Sequence, residues 1–131
     1  MNAKQKIWAN FSVKNVTVTN QFYTSLGFTP NGTNNYPQLA SFLFGEDKFV
    51  IHFFEQGSKI NSFLSSGSKD NSEIIFTLSA ETKEEVKEFA SKVENAGGYI
   101  IKQVERDEDG YYGFTFTDPD GHKFNVLLMD M

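Results

Sequence analysis

The chain has 131 residues, 12 Lys+Arg against 17 Asp+Glu, a net charge of −5 and no cysteine. That is one domain's worth of chain, too acidic for a phosphate-tracking surface and without the thiols needed for disulfides, thiolate catalysis or Cys-ligated zinc. No apolar run approaches the roughly 18 residues of a membrane span, and Met1–Lys6 leads into no signal-peptide core, so a cytoplasmic protein with no nucleic-acid or membrane partner is expected.

Ile7–Val13 alternates, with Ile7, Ala9, Phe11 and Val13 on one face and Trp8, Asn10 and Ser12 on the other, which predicts a strand with a half-polar second face. Asn15 is placed to cap a helix over 15–26, whose stripe is Val18, Phe22 and Leu26 and whose stop is Gly27. The β-branched run Val16–Thr19 opposes that helix, so packing must override propensity there. A short strand at 28–31 and a hairpin follow, Leu39–Phe44 and Phe49–Phe54 joined by Gly45–Lys48. Residues 56–72, rich in Ser, Gly, Asn and Lys, read as a connector in which Ile60, Phe63 and Leu64 share one helical face and suit a short lid.

The pattern then recurs. Glu73–Leu78 reads as a strand, Thr82 with Glu85 as a capping box, and Val86, Phe89, Ala90 and Val93 as the buried stripe of a second helix ending at Gly97-Gly98. Tyr99–Val104 is a strand, and Tyr111–Thr117 with Lys123–Met129 a hairpin around Asp118-Pro119-Asp120-Gly121. Strand, helix and three strands are thus written twice. The expected organisation is one domain, 1–131, with a first βαβββ module at 7–55, the connector at 56–72 and a second module at 73–129. Fourteen Phe, five Tyr and one Trp supply ample core.

The segments Phe11-x-Val13-Lys14-Asn15, Gln21-Phe22-Tyr23-x-x-Leu26-Gly27-Phe28, Glu84-Glu85-Val86 through Ala96-Gly97-Gly98, and Gly113-Phe114-x-Phe116-x-Asp118-Pro119-Asp120-Gly121-His122, in that order and spacing, resemble the vicinal oxygen chelate superfamily of glyoxalases, bleomycin-resistance proteins and extradiol dioxygenases. The resemblance implies an α+β fold in which two βαβββ modules form a curled mixed sheet around a cavity, and a homodimer. It also implies a divalent metal on four side chains, which carry over to Trp8, His52, Glu73 and Asn125. An indole has no free lone pair and Asn offers only a neutral carbonyl oxygen, so His52 and Glu73 remain as competent ligands. A catalytic metal commonly needs three strong ones, and the expectation is no cofactor.

Each candidate has a plainer reading. Trp8 suits a dry core, although its strand mates Asn10 and Ser12 favour a ligand-lined concavity. His52 suits a hydrogen-bonded core histidine, or, with Glu73 nearby, an imidazolium facing the cavity. Glu73 suits an exposed strand end as well as a site. Asn125 lies between Phe124 and Val126, which face the helix, so its amide needs partners. His122 belongs to its turn, and the acidic turn 105–110 fails as an EF-hand, because Tyr112 would stand where Gly is needed.

Three functions follow from this reading. The first is a binding or sequestering protein of bleomycin-resistance type, holding a small apolar or aromatic molecule among Trp8, Asn10, His52, Phe54, Glu73, Tyr112, Asn125 and Leu127. The second is a lyase, isomerase or dioxygenase using His52 and Glu73, with a metal or as general bases. The third is a dimeric interaction module whose cavity is filled by its own side chains.

Overall fold

Alternation along the first hairpin decides which side of its sheet meets a helix. Ala40, Phe42 and Phe44 on one strand and Ile51 and Phe53 on the next are buried, while the residues between them are mostly half-buried. The computed structural model describes residues 4–32, 36–58, 60, 63–64 and 73–129. The chain divides into two compact units, Met1–Gly67 and Ser68–Met131, and the division falls within the predicted connector.

The first unit runs β1 (Ala9–Val13), α1 (Val16–Leu26), β2 (Thr29–Pro30), β3 (Leu39–Phe44) and β4 (Phe49–Glu55). Its sheet has the order β1-β4-β3-β2, with β1 parallel to β4 and the hairpin antiparallel. Asn15 caps α1, its Oδ1 accepting from the Thr17 and Val18 amides at 2.8 and 3.3 Å. Gly27 ends the helix at φ 97°, a left-handed turn that glycine enters without steric cost. Packing offsets the poor propensity of α1: Tyr23 is fully buried, with its ring 4.7–6.0 Å from those of Phe22, Phe28, Phe42, Phe44 and Phe53.

The second unit repeats this plan as β5 (Ile75–Ala80), α2 (Lys83–Ala96), β6 (Tyr99–Arg106), β7 (Tyr112–Thr117) and β8 (Lys123–Leu128), in the order β5-β8-β7-β6. The fold is α+β, two βαβββ modules each with one helix and a four-stranded mixed sheet. Thr82 Oγ1 accepts from the Glu85 amide, and the Glu85 carboxylate accepts from the amide of Glu81, one residue upstream of the expected capping-box partner. Phe89 of α2 lies 6.1 and 5.8 Å from Phe114 and Phe116, and Phe116 stacks on Phe124 at 5.3 Å.

Two strand starts differ from expectation. β1 begins at Ala9, leaving Ile7 exposed, and β5 begins at Ile75 rather than Glu73. Each strand starts at its first ladder pair with its parallel partner, Ala9 opposite Ile51, the third residue of β4, and Ile75 opposite Lys123, the first residue of β8, because a strand exists only where its ladder does. The short helix expected over Ile60–Leu64 includes residues 61 and 62, which lie outside the described residues; Phe63 is exposed.

Candidate functional site

The helix-averse face of the first sheet collects polar groups. Asn10 is the Cα partner of His52, Ser12 of Phe54, and Ser41 of His52 from the other side. All are half-buried except Ser41, which is 8% exposed. Trp8 precedes β1 by one residue and shares this face. It is 52% exposed, and its ring meets His52 edge-on at 6.1 Å, while Phe54 meets His52 at 5.8 Å. Four predicted residues, Trp8, Asn10, His52 and Phe54, are thus brought together on one face of one sheet.

A hydrogen-bond relay fixes His52. Asn31 Nδ2 donates to Ser41 Oγ at 3.1 Å, and Ser41 Oγ lies 2.8 Å from His52 Nδ1. A buried hydroxyl satisfies both of its roles when it can. Ser41 accepts from Asn31, and donating its own proton to His52 Nδ1 would use both roles and place the neutral ring's hydrogen on Nε2. Burial also pushes the His52 pKa below its ordinary 6.5. Of the two readings of His52, the hydrogen-bonded one describes it here: its partner is a hydroxyl, and desolvation favours the neutral ring. Ser12 Oγ, buried on the same face, has no hydrogen-bond partner among the described residues.

At the hairpin end of this face lies an open pocket of about 610 Å³, lined by Lys6, Ile7, Trp8, Asn31, Asp47, Lys48, Phe49, Val50 and His52. Only Trp8 and His52 of these stood out in the sequence. Lys48 closes the β3–β4 turn at φ 56°, the positive-φ position among the described non-glycine residues, where a side chain costs about 1–2 kcal/mol. A lysine in the place where such turns usually carry Gly or Asn was the signal available in Gly45-Glu46-Asp47-Lys48.

The second sheet repeats the arrangement with different residues. Asn125 is the Cα partner of Thr77 and Thr115, as His52 is of Asn10 and Ser41. Thr115 Oγ1 donates to Asn125 Oδ1 at 2.7 Å, and Asn125 Nδ2 reaches Thr77 Oγ1 at 3.5 Å. A hydroxyl on the middle strand thus holds the corresponding residue in both modules. Leu127 shares the face of Asn125. Tyr112 does not: it lies on the helix side with Phe114 and Phe116, its ring under Lys83 Nζ at 5.3 Å and Arg106 Cζ at 5.5 Å. Glu73 is exposed in a bend ahead of β5. Counted from the caps Asn15 and Thr82, Ile75 corresponds to Trp8 and Glu73 to Lys6, two residues from the correspondence expected. His122 is buried with Asp118, Nδ1 to Oδ2 at 2.7 Å, while Asp118 Oδ1 accepts from the His122 amide. It locks the β7–β8 turn, as expected of a turn residue.

The sequence matches the Glyoxalase/Bleomycin resistance protein/Dioxygenase superfamily over residues 7–126. The chain belongs to that superfamily. A hypothetical protein from S. aureus is 30% identical, with a TM-score of 0.84 over 97% of this chain and 95% of that one. Two more distant members share the fold. A fosfomycin resistance protein from Mesorhizobium loti is 14% identical, with a TM-score of 0.69 over 99% and 96% of the two chains. A lactoylglutathione lyase from Agrobacterium tumefaciens is 19% identical, with a TM-score of 0.62 over 98% and 96%. No curated protein is a significant match.

The divalent metal of this glyoxalase-type superfamily does not fit the donors found at its four positions. Trp8 has no lone pair to give. His52 has its Nδ1 engaged by the Ser41 hydroxyl, which leaves Nε2 as its one nitrogen for a ligand. Glu73 stands outside the sheet, and the Asn125 carbonyl oxygen already accepts from Thr115. Among the described residues no three His, Asp or Glu side chains are grouped as metal ligands.

Proposed function

We propose that this superfamily member is a small-molecule binding protein that holds an aromatic ligand on the first module without a metal. One observation carries the reading: the pocket of about 610 Å³ beside Trp8 and His52, within the range of roughly 300–1,000 Å³ typical of ligand sites. Ile7, Trp8, Phe49 and Val50 offer apolar surface to a ring, and His52 Nε2–H and the Asn31 amide offer directional hydrogen bonds. The donor chemistry at the metal positions supports binding over metal-assisted transformation. So does Ser12, whose Oγ is kept buried on the same face with no partner among the described residues, at a cost of about 1–3 kcal/mol.

Trp8 is the only tryptophan, so its fluorescence reports this site alone. Titration with 4-nitrobenzamide, a neutral aromatic quencher, is expected to give saturable quenching and a rise in Tm that grows with ligand concentration, since a ligand of the native state stabilises by mass action. Linear, collisional quenching with an unmoved Tm would overturn the reading.

A further inference from the structure

The lining of this pocket is unbalanced in charge. Lys6 and Lys48 face a single carboxylate, Asp47, which leaves one net positive charge there in a chain whose total is −5. Neither lysine nor Asp47 makes an ion pair among the described residues. The polar lining groups that could point at a ligand are mostly donors: two ammonium groups, the Asn31 amide and, where Nδ1 takes the Ser41 proton, the His52 Nε2–H. Lys48 stands in a left-handed turn position that glycine occupies without steric cost, so the turn itself has no use for its side chain. Concave, partly apolar surroundings strengthen a local potential, and a positive recess on an acidic protein steers anions to that point.

We propose that the pocket at the β3–β4 turn is a receptor for a small aromatic anion, with the ring against Trp8 and a carboxylate or similar oxyanion between Lys6, Lys48 and His52. This rests on the binding reading above and narrows it to a charge class. Asp47 sets the limit: it disfavours multiply charged anions through like-charge repulsion and leaves a monoanion as the matching charge.

The test uses an isosteric pair, 4-nitrobenzoate and 4-nitrobenzamide, read by Trp8 quenching and by calorimetry on the full chain. The benzoate is expected to bind about tenfold more tightly at low ionic strength, and the preference to shrink as salt screens exposed charges. Lys48→Gly and Lys6→Gln are each expected to weaken 4-nitrobenzoate several-fold, and to weaken it more than 4-nitrobenzamide. Thermal unfolding of Lys48→Gly checks that the turn is intact, and glycine at this φ should keep or raise Tm. Equal affinities for the pair would overturn the anion inference and leave the aromatic pocket standing. A benzoate preference untouched by both substitutions would place the anion elsewhere and overturn it too. Saturable binding of neither probe would remove the binding reading and this inference with it.

Discussion

Ser41, which accepts from Asn31, stands 2.8 Å from His52 Nδ1, and a proton donated there would put the ring's own hydrogen on Nε2. With only two histidines in the chain, ring nitrogen correlations in NMR can assign the tautomer directly, His122 serving as the second, carboxylate-bonded signal. Nε2–H is expected for His52 in the native chain and a mixture of tautomers in Ser41→Ala, since the variant removes the donor to Nδ1. The lowered pKa of His52 has a sign. The neutral ring's contribution is complete above 6.5 and is lost as pH falls through the lower folded value, because the unfolded chain takes up the proton first. Urea midpoints below pH 6.5 should therefore fall less steeply with acid in His52→Gln than in the native chain. Gly113 is a second residue whose role is local. A Cβ there would stand 2.0 Å from the Val126 carbonyl oxygen and 2.8 Å from Leu127 Cδ2. Gly113→Ala is expected to cost about 1–3 kcal/mol in denaturant unfolding, as overpacking does. The residue types of His52 and Gly113 were legible in the chain; the serine opposite one and the carbonyl above the other were not, because both lie across a strand pairing.

At the scale of elements, α1 and α2 form for different reasons. The β-branched start of α1 makes it a poor helix by propensity, so it depends on Tyr23 among five aromatic rings and on the Asn15 cap, whose Oδ1 serves two amides. Helix α2 has Glu84 and Glu85 in its first turn as well as the Thr82 cap, and acidic residues there suit the helix dipole. Asn15→Ala is expected to lower stability by about 1 kcal/mol, measured by urea unfolding, and by more than Thr82→Ala does. Caps, stripes and glycine stops are short-range signals, which is why both helices were readable within a residue or so. Strand starts were not. Glu73 extends the alternation of β5 in sequence, but β8 offers Ile75 the first partner, at Lys123. Tyr112 fell on the helix side because it alternates in step with Phe114 and Phe116 along a β7 that pairs with β8 without a register shift; the irregularities of that sheet lie on β6.

The molecule as a whole is a duplicated βαβββ chain of the glyoxalase superfamily whose two modules place Trp8 and His52, and Ile75 and Asn125, at corresponding positions: an indole, a hydroxyl-bonded imidazole, an alkyl group and an amide. The same hydroxyl device, Ser41 in one module and Thr115 in the other, engages the side chain at each β4 and β8 position. If the donors are unfit for a metal, chelation and metal addition should leave stability alone. Tm is expected to move by less than about 1 °C with EDTA or with Zn²⁺, Mn²⁺ or Ni²⁺ at micromolar excess, since an ion held tightly by the native state would raise it by mass action. A rise of several degrees with one ion, lost in His52→Gln, would show that the positions still chelate.

The order of elements, the duplication and both helix caps were determined by the amino-acid sequence alone. Each rests on contacts between near neighbours in the chain or on what a side chain is chemically able to do. The pocket was decided by tertiary structure. Lys6, Asn31, Lys48 and His52 are separated by turns and a helix, and only the parallel pairing of β1 with β4 and the antiparallel hairpin beside it bring them to one end of one sheet. The surroundings of His52 were decided in the same way, because the Ser41 hydroxyl at its Nδ1 is itself held by an amide 21 positions from His52 in the chain that local periodicity does not encode.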